Sequence, residues 1–168
     1  WLDSPADILS YMDVDLSTDL VHIPELVKAI DKEGYDIAIG SRLKRGSRVE
    51  RRTLKREFTS RTYNLMIKMM FWTRFADAQC GFKAVSRKAA QELVPLIKDQ
   101  AWFFDTELLL LATMKGYRIK EIPVHWVDDP DSRVNIIKTA REDIKGLLRL
   151  RFRPLPPLAL PVPAAPRG

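Results

Sequence analysis

Two acidic side chains, Asp13 and Asp15, directly follow an apolar run at residues 8–12. In an extended chain, residues two apart project from the same face about 7 Å apart, so both carboxylates can reach one cation where the chain turns. Mg²⁺ and Mn²⁺ favour such oxygen ligands, take only one or two protein carboxylates and leave other positions to water and phosphate. The pattern therefore suits a divalent metal bound to a diphosphate. The alternative is a strand followed by a polar turn that caps a helix.

Basic residues are concentrated in two blocks of the chain, although its net charge is only +6. Residues 42–61 contain nine Lys and Arg against two acids, and residues 133–153 contain seven against two. Basic patches of this kind bind phosphate, an anionic membrane surface or nucleic acid. Charge alone does not separate these three partners.

The elements around the two aspartates read as a β-α-β unit. The apolar run at 8–12 predicts a strand, the helical spacing of Leu26 and Ile30 predicts a helix over 24–32, and residues 35–40 read as a buried strand. Such a unit favours a parallel α/β sheet.

The rest of the chain alternates loops, helices and strands. The expected order is a basic loop at 41–52, a helix at 54–73, a loop entering a strand at 77–85, a helix at 87–97 capped by Ser86, a helix capped by Asp105 and ended by Gly116, a strand at 117–126, a turn at 128–132 and a basic amphipathic helix at 134–152.

Length and composition fit one globular domain, because 168 residues with 46% hydrophobic side chains can form a real core. The single Cys80 excludes an internal disulfide. The sequence contains no run of 18 apolar residues, which is about the length needed to cross a bilayer. The chain begins at Trp1 and enters a strand almost at once, which we interpret as a fragment. Residues 153–168 are rich in proline and read as a tail.

Two helices admit a membrane interpretation. The predicted helix at 54–73 is rich in Met and aromatic residues, so it is either a core helix or one partly embedded in lipid. The helix at 134–152 combines an apolar face with five basic side chains that an anionic bilayer would attract.

Six motifs then occur in a fixed order. They are Asp13-Val-Asp15, Gly40-Ser41-Arg42, a segment from Leu54 to Arg61, Asp77-Ala-Gln79-Cys80-Gly81-Phe82-Lys83, Trp102-Phe-Phe-Asp105-Thr-Glu107 and Ile122-Pro123-Val124-His-Trp126. Together they resemble the family 2 glycosyltransferases of GT-A fold. The branch they resemble most acts on polyprenyl phosphates and includes dolichyl-phosphate β-glucosyltransferases, dolichyl-phosphate mannose synthases and undecaprenyl-phosphate sugar transferases.

The resemblance covers about residues 6–150 and implies an α/β GT-A fold that is Rossmann-like, with a mainly parallel sheet and flanking helices. It implies that residues 1–152 are the C-terminal portion of the domain, truncated at the N-terminus. The strands that carry the base and ribose contacts would precede them. A sheet without those strands exposes an edge, so we expect the fragment alone to be poorly stable and inactive.

The resemblance also implies a reaction. A nucleotide diphosphosugar would lie on Mg²⁺ or Mn²⁺ held by Asp13 and Asp15, and a polyprenyl phosphate would attack the sugar with inversion. The acceptor phosphate would contact Arg42, Arg56 and Ser60. Arg133 lies in a motif whose spacing differs from that of the mannose synthases, and it is either an acceptor-phosphate ligand or a solvated turn charge.

Asp77 and Asp15 are the expected catalytic residues under this resemblance. Asp77 would orient groups near the reaction centre or contact a sugar hydroxyl, or it caps a loop. Gln79 would contact the donor sugar. Cys80 reads as a small packed side chain. Ser17 stands where mannose synthases often carry Gln, which leaves a third side-chain metal ligand open.

The expected function is therefore hexose transfer, with UDP-glucose the favoured donor, to a polyprenyl phosphate in cell-envelope glycan synthesis. The enzyme would be peripheral at the cytoplasmic face of the membrane. One alternative is a soluble sugar transferase with a hydroxyl acceptor, for which Asp77 would act as a base. A basic nucleic-acid-binding domain is less favoured, because no helix-turn-helix, zinc-finger or stacking signature accompanies the charge.

Overall fold

The computed structural model describes residues 1–128 and 136–152, with side chains of the last helix described from residue 139 onward. The strands are β1 (Ile8–Met12), β2 (Ile37–Ser41), β3 (Arg48–Glu50), β4 (Phe82–Ser86), β5 (Ile119–Pro123) and β6 (His125–Val127). The α-helices are α1 (Ile23–Asp31), α2 (Leu54–Phe71), α3 (Arg87–Leu93), α4 (Phe104–Met114) and α5 (Ile136–Phe152), with short 3₁₀ turns at Leu20–His22 and Val94–Leu96.

Four strands form the main sheet in the order β1-β4-β2-β5. β4 is antiparallel to both β1 and β2, and β5 runs parallel to β2. β1, β2 and β5 therefore point the same way, as the predicted β-α-β unit requires. The sheet is nevertheless mixed rather than mainly parallel, because β4 inserts between the two strands of that unit. β3 and β6 form a separate parallel pair.

Each face of the main sheet packs on its own apolar cluster. One face packs, through Leu9, Ile37, Ile39 and Val85, in a cluster that takes Leu108 to Leu111 from α4 and Leu147 and Leu150 from α5. The other face carries Ala38, Phe82 and Ala84 and is covered by Leu26 and Ala29 of α1. The predicted burial of the Leu108 to Leu111 run is confirmed.

Two local predictions are wrong. Asp105 does not cap α4, since the N-cap position is Phe103 and Asp105 lies in the first turn. The expected strand at 117–126 is two strands, because Pro123 has no N–H to continue the ladder and the chain then pairs with β3. Ser86 caps α3 as predicted by accepting a hydrogen bond from the Ala89 N–H.

The basic helix at the C-terminal end exists, but part of its apolar face lies in the core. Leu147 and Leu150 are buried there, and Gly146 lies against the ring of Phe103. Ile144 and Leu148 are about half exposed and Phe152 is largely exposed, so these side chains of the described part of the helix are available to another surface. Residues 153–168, predicted to be a tail, lie outside the described residues.

Candidate functional site

The candidate site lies at one edge of the main sheet, where β1, β2 and β5 end and β4 begins. This follows from the strand directions, since Met12 pairs with Phe82 and Ser41 pairs with Pro123. Asp13 and Arg42 are the next residues after β1 and β2, and residues 76–81 lead into β4. In open α/β sheets, ligands bind in the crevice outside the carboxyl ends of the strands.

Asp13 is held against the start of β4. Its backbone N–H donates to the carbonyl oxygen of Gly81 at 2.8 Å. A methyl group at position 81 would lie 2.1 Å from Oδ1 of Asp13, far inside contact distance. Glycine is therefore required at 81 for the carboxylate to occupy its place.

The pKa of Asp13 is raised by its surroundings. Partial burial is the largest cause, followed by the carboxylates of Asp105 and Asp15, and together they raise this pKa from 3.8 to about 6. Lys83 and Arg42 act in the opposite direction. Asp15 is solvent-exposed, and its Oδ1 accepts the Ser17 N–H at 3.0 Å.

The two aspartates fit a divalent cation, because mutually repelling hard oxygen donors are what such an ion neutralises. Among residues 1–128 and 136–152, no group of three or more acidic, His or Cys side chains is arranged to hold a metal. A two-carboxylate site of this kind therefore needs oxygen ligands from outside the described chain, such as substrate phosphates.

Arg42 and Asp77 form a bidentate ion pair at the same end of the sheet as Asp13. Nε of Arg42 lies 2.7 Å from Oδ2 of Asp77, and Nη2 lies 2.8 Å from Oδ1. The Arg42 side chain is 13% exposed and that of Asp77 is fully buried. The guanidinium also lies over the Trp126 ring, 4.8 Å from its centroid.

Each partner fixes the charge of the other. Burial alone would raise the pKa of Asp77, but the Arg42 charge and its hydrogen bonds outweigh burial, so the pKa lies below its usual value of 3.8. Burial likewise disfavours the Arg42 cation, and Asp77 overcomes it, so the pKa of Arg42 is raised. Both groups stay ionised at neutral pH.

The loop that carries Asp77 is tied to neighbouring elements. Oε1 of Glu121 accepts the backbone N–H groups of Ala76 and Asp77 at 2.7 and 3.2 Å. Oδ1 of Asn64 on α2 accepts the Ala78 N–H at 2.9 Å. The loop is thus fixed to β5 and to α2, and Asp77 is aimed at Arg42.

The inner face of α2 brings Arg56 and Ser60 to the site. Nη1 of Arg56 lies 2.7 Å from Oδ2 of Asp128. Oγ of Ser60 is buried and has no hydrogen-bond partner among the described residues, while the Ser60 carbonyl accepts from Asn64. A buried hydroxyl without a partner is costly, which makes Ser60 a ready donor to an anion.

The outer face of α2 is apolar and exposed. At 100° per residue, the exposed side chains fall within an arc of roughly 60° that lies opposite Arg56 and Ser60. They are Leu54, Phe58, Leu65, Met69 and Trp72. The core interpretation of this helix is therefore true of its inner side only.

A buried lysine beside the site was missed at the level of sequence. Lys83 is fully buried on β4, and its Nζ lies 2.6 Å from Oδ1 of Asp105 and 2.5 Å from the Cys80 carbonyl oxygen. The Tyr11 hydroxyl donates to the same carboxylate oxygen. The Gly-Phe-Lys motif indicated a site, but nothing local showed that Asp105 would be the counter-ion.

Asp143 on α5 is a second missed residue. Its Oδ2 accepts a hydrogen bond from Nε2 of Gln79 at 3.0 Å, and its Oδ1 is buried with no hydrogen-bond partner among the described residues. Burial is the main cause that raises the pKa of Asp143 to about 6. Gln79, the expected sugar contact, is thus held from behind by the last helix.

Two other expectations have definite outcomes. Cys80 is buried, and burial followed by the nearby Asp77 charge raises its pKa to about 12, so it is a packed thiol as expected. Arg133 lies outside the described residues. A surface depression of about 260 Å³ lined by Asp36 and Glu92 is at the opposite end of β2 and holds none of the predicted site residues.

The model of the family described as Glycosyl transferase family 2 matches residues 4–94. The chain belongs to glycosyl transferase family 2. The family predicted from the six motifs is therefore confirmed, and the chain is a glycosyltransferase.

Curated relatives include members that act on lipid phosphates by name. Glycosyltransferase AglD from Haloferax volcanii is 40% identical over 141 residues, which cover 84% of this chain and 22% of that protein. Dolichyl-phosphate beta-glucosyltransferase ALG5C from Trichomonas vaginalis is 33% identical, and the enzyme from Dictyostelium discoideum is 28% identical. Each match covers 80% of this chain and 42% of the relative. The chain thus spans less than half the length of these relatives.

Solved structures confirm the fold class of the glycosyltransferase. Glucosyl-3-phosphoglycerate synthase from Mycobacterium tuberculosis superposes with a TM-score of 0.61 at 16% identity, over 90% of this chain and 52% of that one. Its uridine-diphosphate complex gives 0.60 at 17% identity, over 86% and 50%. The predicted GT-A α/β fold is therefore confirmed, with a mixed sheet.

None of the helices within residues 1–128 and 136–152 is both long and apolar enough to cross a bilayer.

Proposed function

We propose that this glycosyltransferase transfers a hexose from a nucleotide diphosphosugar to a polyprenyl phosphate. The proposal is supported by two observations. An exposed carboxylate pair and the Arg42–Asp77 ion pair lie at one end of the sheet, and α2, which is hydrogen-bonded to the Asp77 loop, carries a second paired guanidinium and a buried serine hydroxyl without a partner. One half of this arrangement suits a metal-bound diphosphate and the other suits a phosphate monoester. The names of the relatives support the lipid acceptor.

The donor half comprises Asp13 and Asp15, which would hold Mg²⁺ or Mn²⁺. When bound, such an ion neutralises charge that builds on the leaving nucleotide. Asp13 contributes a carboxylate fixed by Gly81, and Asp15 contributes one fixed by the Ser17 N–H. Gln79, held by Asp143, lies two residues beyond Asp77 and would contact the sugar.

The acceptor half comprises Arg42, Arg56 and Ser60. Arginine suits this task because its planar fork can bind phosphate oxygens bidentately. In this structure Asp77 and Asp128 hold the two guanidinium groups in place, so the geometry exists before the acceptor arrives. Arg133 remains a proposed further ligand.

Asp77 acts in this proposal by orienting Arg42 rather than as a general base. It is fully buried, its pKa is lowered, and both its oxygens accept hydrogen bonds from Arg42. A phosphate acceptor is already an anion at neutral pH and needs no base to deprotonate it. Its direct attack on the anomeric carbon would invert configuration. The same burial argues against the alternative of a hydroxyl acceptor activated by Asp77.

Membrane association follows from the outer face of α2. The five exposed apolar side chains of this face are flanked by the exposed basic residues Arg51, Lys55 and Arg61. An apolar stripe beside positive charge is the pattern of a helix that lies in the interface of an anionic bilayer. Docking there would bring the inner face, with Arg56 and Ser60, next to the lipid headgroups. We propose peripheral binding at the cytoplasmic face.

The donor sugar and the domain boundaries are also proposals. UDP-glucose is favoured because the sequence motifs resemble those of the glucosyl branch and because several relatives are named beta-glucosyltransferases. Residues 1–152 would form the part of the GT-A domain that holds the diphosphate and the acceptor phosphate. Residues 153–168 would follow as a proline-rich segment.

The test is a transfer assay on the protein of residues 1–168 and on any longer chain that includes them. Each is given labelled UDP- and GDP-sugars with a polyprenyl phosphate and Mg²⁺ or Mn²⁺, and the lipid fraction is analysed. We expect a labelled lipid-phosphate sugar from a chain that carries the complete domain, formed from UDP-glucose in preference to GDP-mannose. Asp13→Asn should abolish the product, whereas Asp31→Asn, at an exposed position of α1, should leave it unchanged.

Failure of every donor to label the lipid, with label appearing instead on a polysaccharide or protein hydroxyl, would replace the proposed acceptor. Binding to vesicles is a separate measurement. Phe58→Ser combined with Met69→Ser should weaken binding to anionic vesicles, because both side chains leave the apolar stripe. Unchanged vesicle binding would reject α2 as the docking face.

A further inference from the structure

The segment between β3 and α2 contains a buried cation that the proposed mechanism does not use. The side chain of Arg52 is only 9% exposed. Its Nε lies 3.1 Å from Oε2 of Glu57, and its Nη1 is buried with no hydrogen-bond partner among the described residues. A buried donor on a charged group is costly to leave without a hydrogen bond, so its presence needs a physical reason.

Charge balance around Arg52 is incomplete. Arg42 has Asp77 to itself and Arg56 has Asp128, but Arg52 shares Glu57 with Arg61, whose Nε lies 2.5 Å from Oε1. One carboxylate thus serves two guanidinium groups. The surroundings disfavour the Arg52 cation further, since burial first and the Arg42 charge second lower its pKa.

Arg52 faces the same region as the proposed acceptor ligands. Its charge interacts with those of Arg42, Asp77 and Asp128, so its guanidinium lies within electrostatic range of both existing ion pairs. Arg52 directly precedes Thr53, the residue that caps α2, and Glu57 in the first turns of α2 holds its guanidinium. Oγ of Ser60 on α2 and Nη1 of Arg52 are both buried donors without a hydrogen-bond partner among the described residues.

We propose that Arg52 is a further ligand of the acceptor phosphate, and that its Nη1 donates to a phosphoryl oxygen. This inference rests on the proposed function and adds one residue to its acceptor half. A phosphate monoester carries up to two negative charges and three acceptor oxygens, enough for several guanidinium groups at once. The donor diphosphate is the other phosphate source, and the test separates the two.

The experiment is calorimetric titration of the full chain with farnesyl phosphate, UDP and inorganic phosphate as separate probes. Arg52→Gln should lower the affinity for farnesyl phosphate by about 10- to 100-fold, as expected for loss of a charged hydrogen bond. Its affinity for UDP should change by less than about twofold. Inorganic phosphate should show the same loss as farnesyl phosphate if the phosphoryl group alone is recognised.

Three further variants serve as controls. Lys28→Gln removes the same charge from an exposed position on α1 and should leave farnesyl phosphate affinity within about threefold of wild type. Arg52→Lys keeps the charge but loses the fork, so it should bind about 3- to 10-fold more weakly. Glu57→Gln frees the guanidinium and should preserve or increase affinity. Arg52→Lys also serves if Arg52→Gln does not fold.

The outcomes distinguish the inference from the proposed function. If Arg56→Gln loses farnesyl phosphate but Arg52→Gln and Arg52→Lys bind it like wild type, the inference is wrong and the acceptor site stands. If Arg52→Gln weakens UDP instead, Arg52 belongs to the donor half. If Lys28→Gln binds farnesyl phosphate as weakly as Arg52→Gln does, the loss of net charge explains the effect. If the wild type binds no farnesyl phosphate, the proposed acceptor and this inference both fall.

Discussion

Replacing Asp77 by Asn tests the ion pair that organises the site. Asn keeps the shape of the side chain but removes the charge that compensates Arg42, which is 13% exposed and bonded to Asp77 at 2.7 and 2.8 Å. Breaking a buried pair from one side costs about 3 to 5 kcal/mol, because the remaining charge stays buried. We expect the free energy of unfolding at pH 7 to fall by about that amount.

The pH dependence gives the prediction its sign. The folded-state pKa of Asp77 lies below its usual 3.8, so its stabilisation is present above pH 3.8 and is lost as the pH falls through the folded pKa. The difference between wild type and Asp77→Asn should therefore be largest at neutral pH and shrink in acid. Urea unfolding followed by tryptophan fluorescence at pH 7 and at a series of values from pH 4 down to pH 2 measures it.

Two controls make this result interpretable. Asp31→Asn removes an exposed carboxylate 2.8 Å from Lys32 and should cost less than about 1 kcal/mol. The double variant Arg42→Met with Asp77→Leu removes both charges of this pair and should recover part of the loss. Equal costs for Asp77→Asn and Asp31→Asn would refute the reasoning, as would a difference that does not depend on pH.

Three further predictions concern the neighbourhood of the site. Gly81→Ala should displace the Asp13 carboxylate, 2.1 Å from the added methyl, and so weaken Mn²⁺ binding at least tenfold in a titration while circular dichroism stays native. Gly146→Ala should lower the free energy of unfolding by about 1 to 3 kcal/mol, because its methyl meets the Phe103 ring at 2.4 Å. Asp143→Asn should raise the free energy of unfolding by about 1 to 2 kcal/mol at pH 7.5. The folded-state pKa of Asp143 is raised to about 6, so the stability linked to its protonated form is fully present below pH 3.8 and is lost as the pH rises through 6. Asn cannot ionise and avoids this loss. A gain for Asp143→Asn that persists below pH 4 would contradict this sign.

Features with a local cause were predictable from sequence. β1 and α2 begin at the predicted residues, because apolar spacing and a Thr53 cap are properties of short segments. Gly116 ends α4 with φ of 79°, a conformation that favours glycine. The common direction of β1 and β2 was also predictable, since a β-α-β unit favours parallel strands.

Features that depend on distant partners were not predictable. Arg42 and Asp77 are 35 residues apart, and nothing in either motif indicates that they neutralise each other. The three-residue strands β3 and β6 are too short to give a periodic signal. Asp143 reads in sequence as one acid on a basic helix, and only packing turns it toward Gln79. Pairing of charges across a fold is decided by tertiary geometry.

The central claim is that the edge of the sheet where β1 and β2 end holds the donor metal and the acceptor phosphate side by side. Relaxation of the ³¹P signal of farnesyl phosphate, bound to the protein with UDP and Mn²⁺, tests it most directly, because a paramagnetic ion enhances relaxation only of nuclei close to it. We predict strong enhancement that is lost in Asp13→Asn and in Arg56→Gln. Binding of both Mn²⁺ and farnesyl phosphate without enhanced ³¹P relaxation would contradict the account.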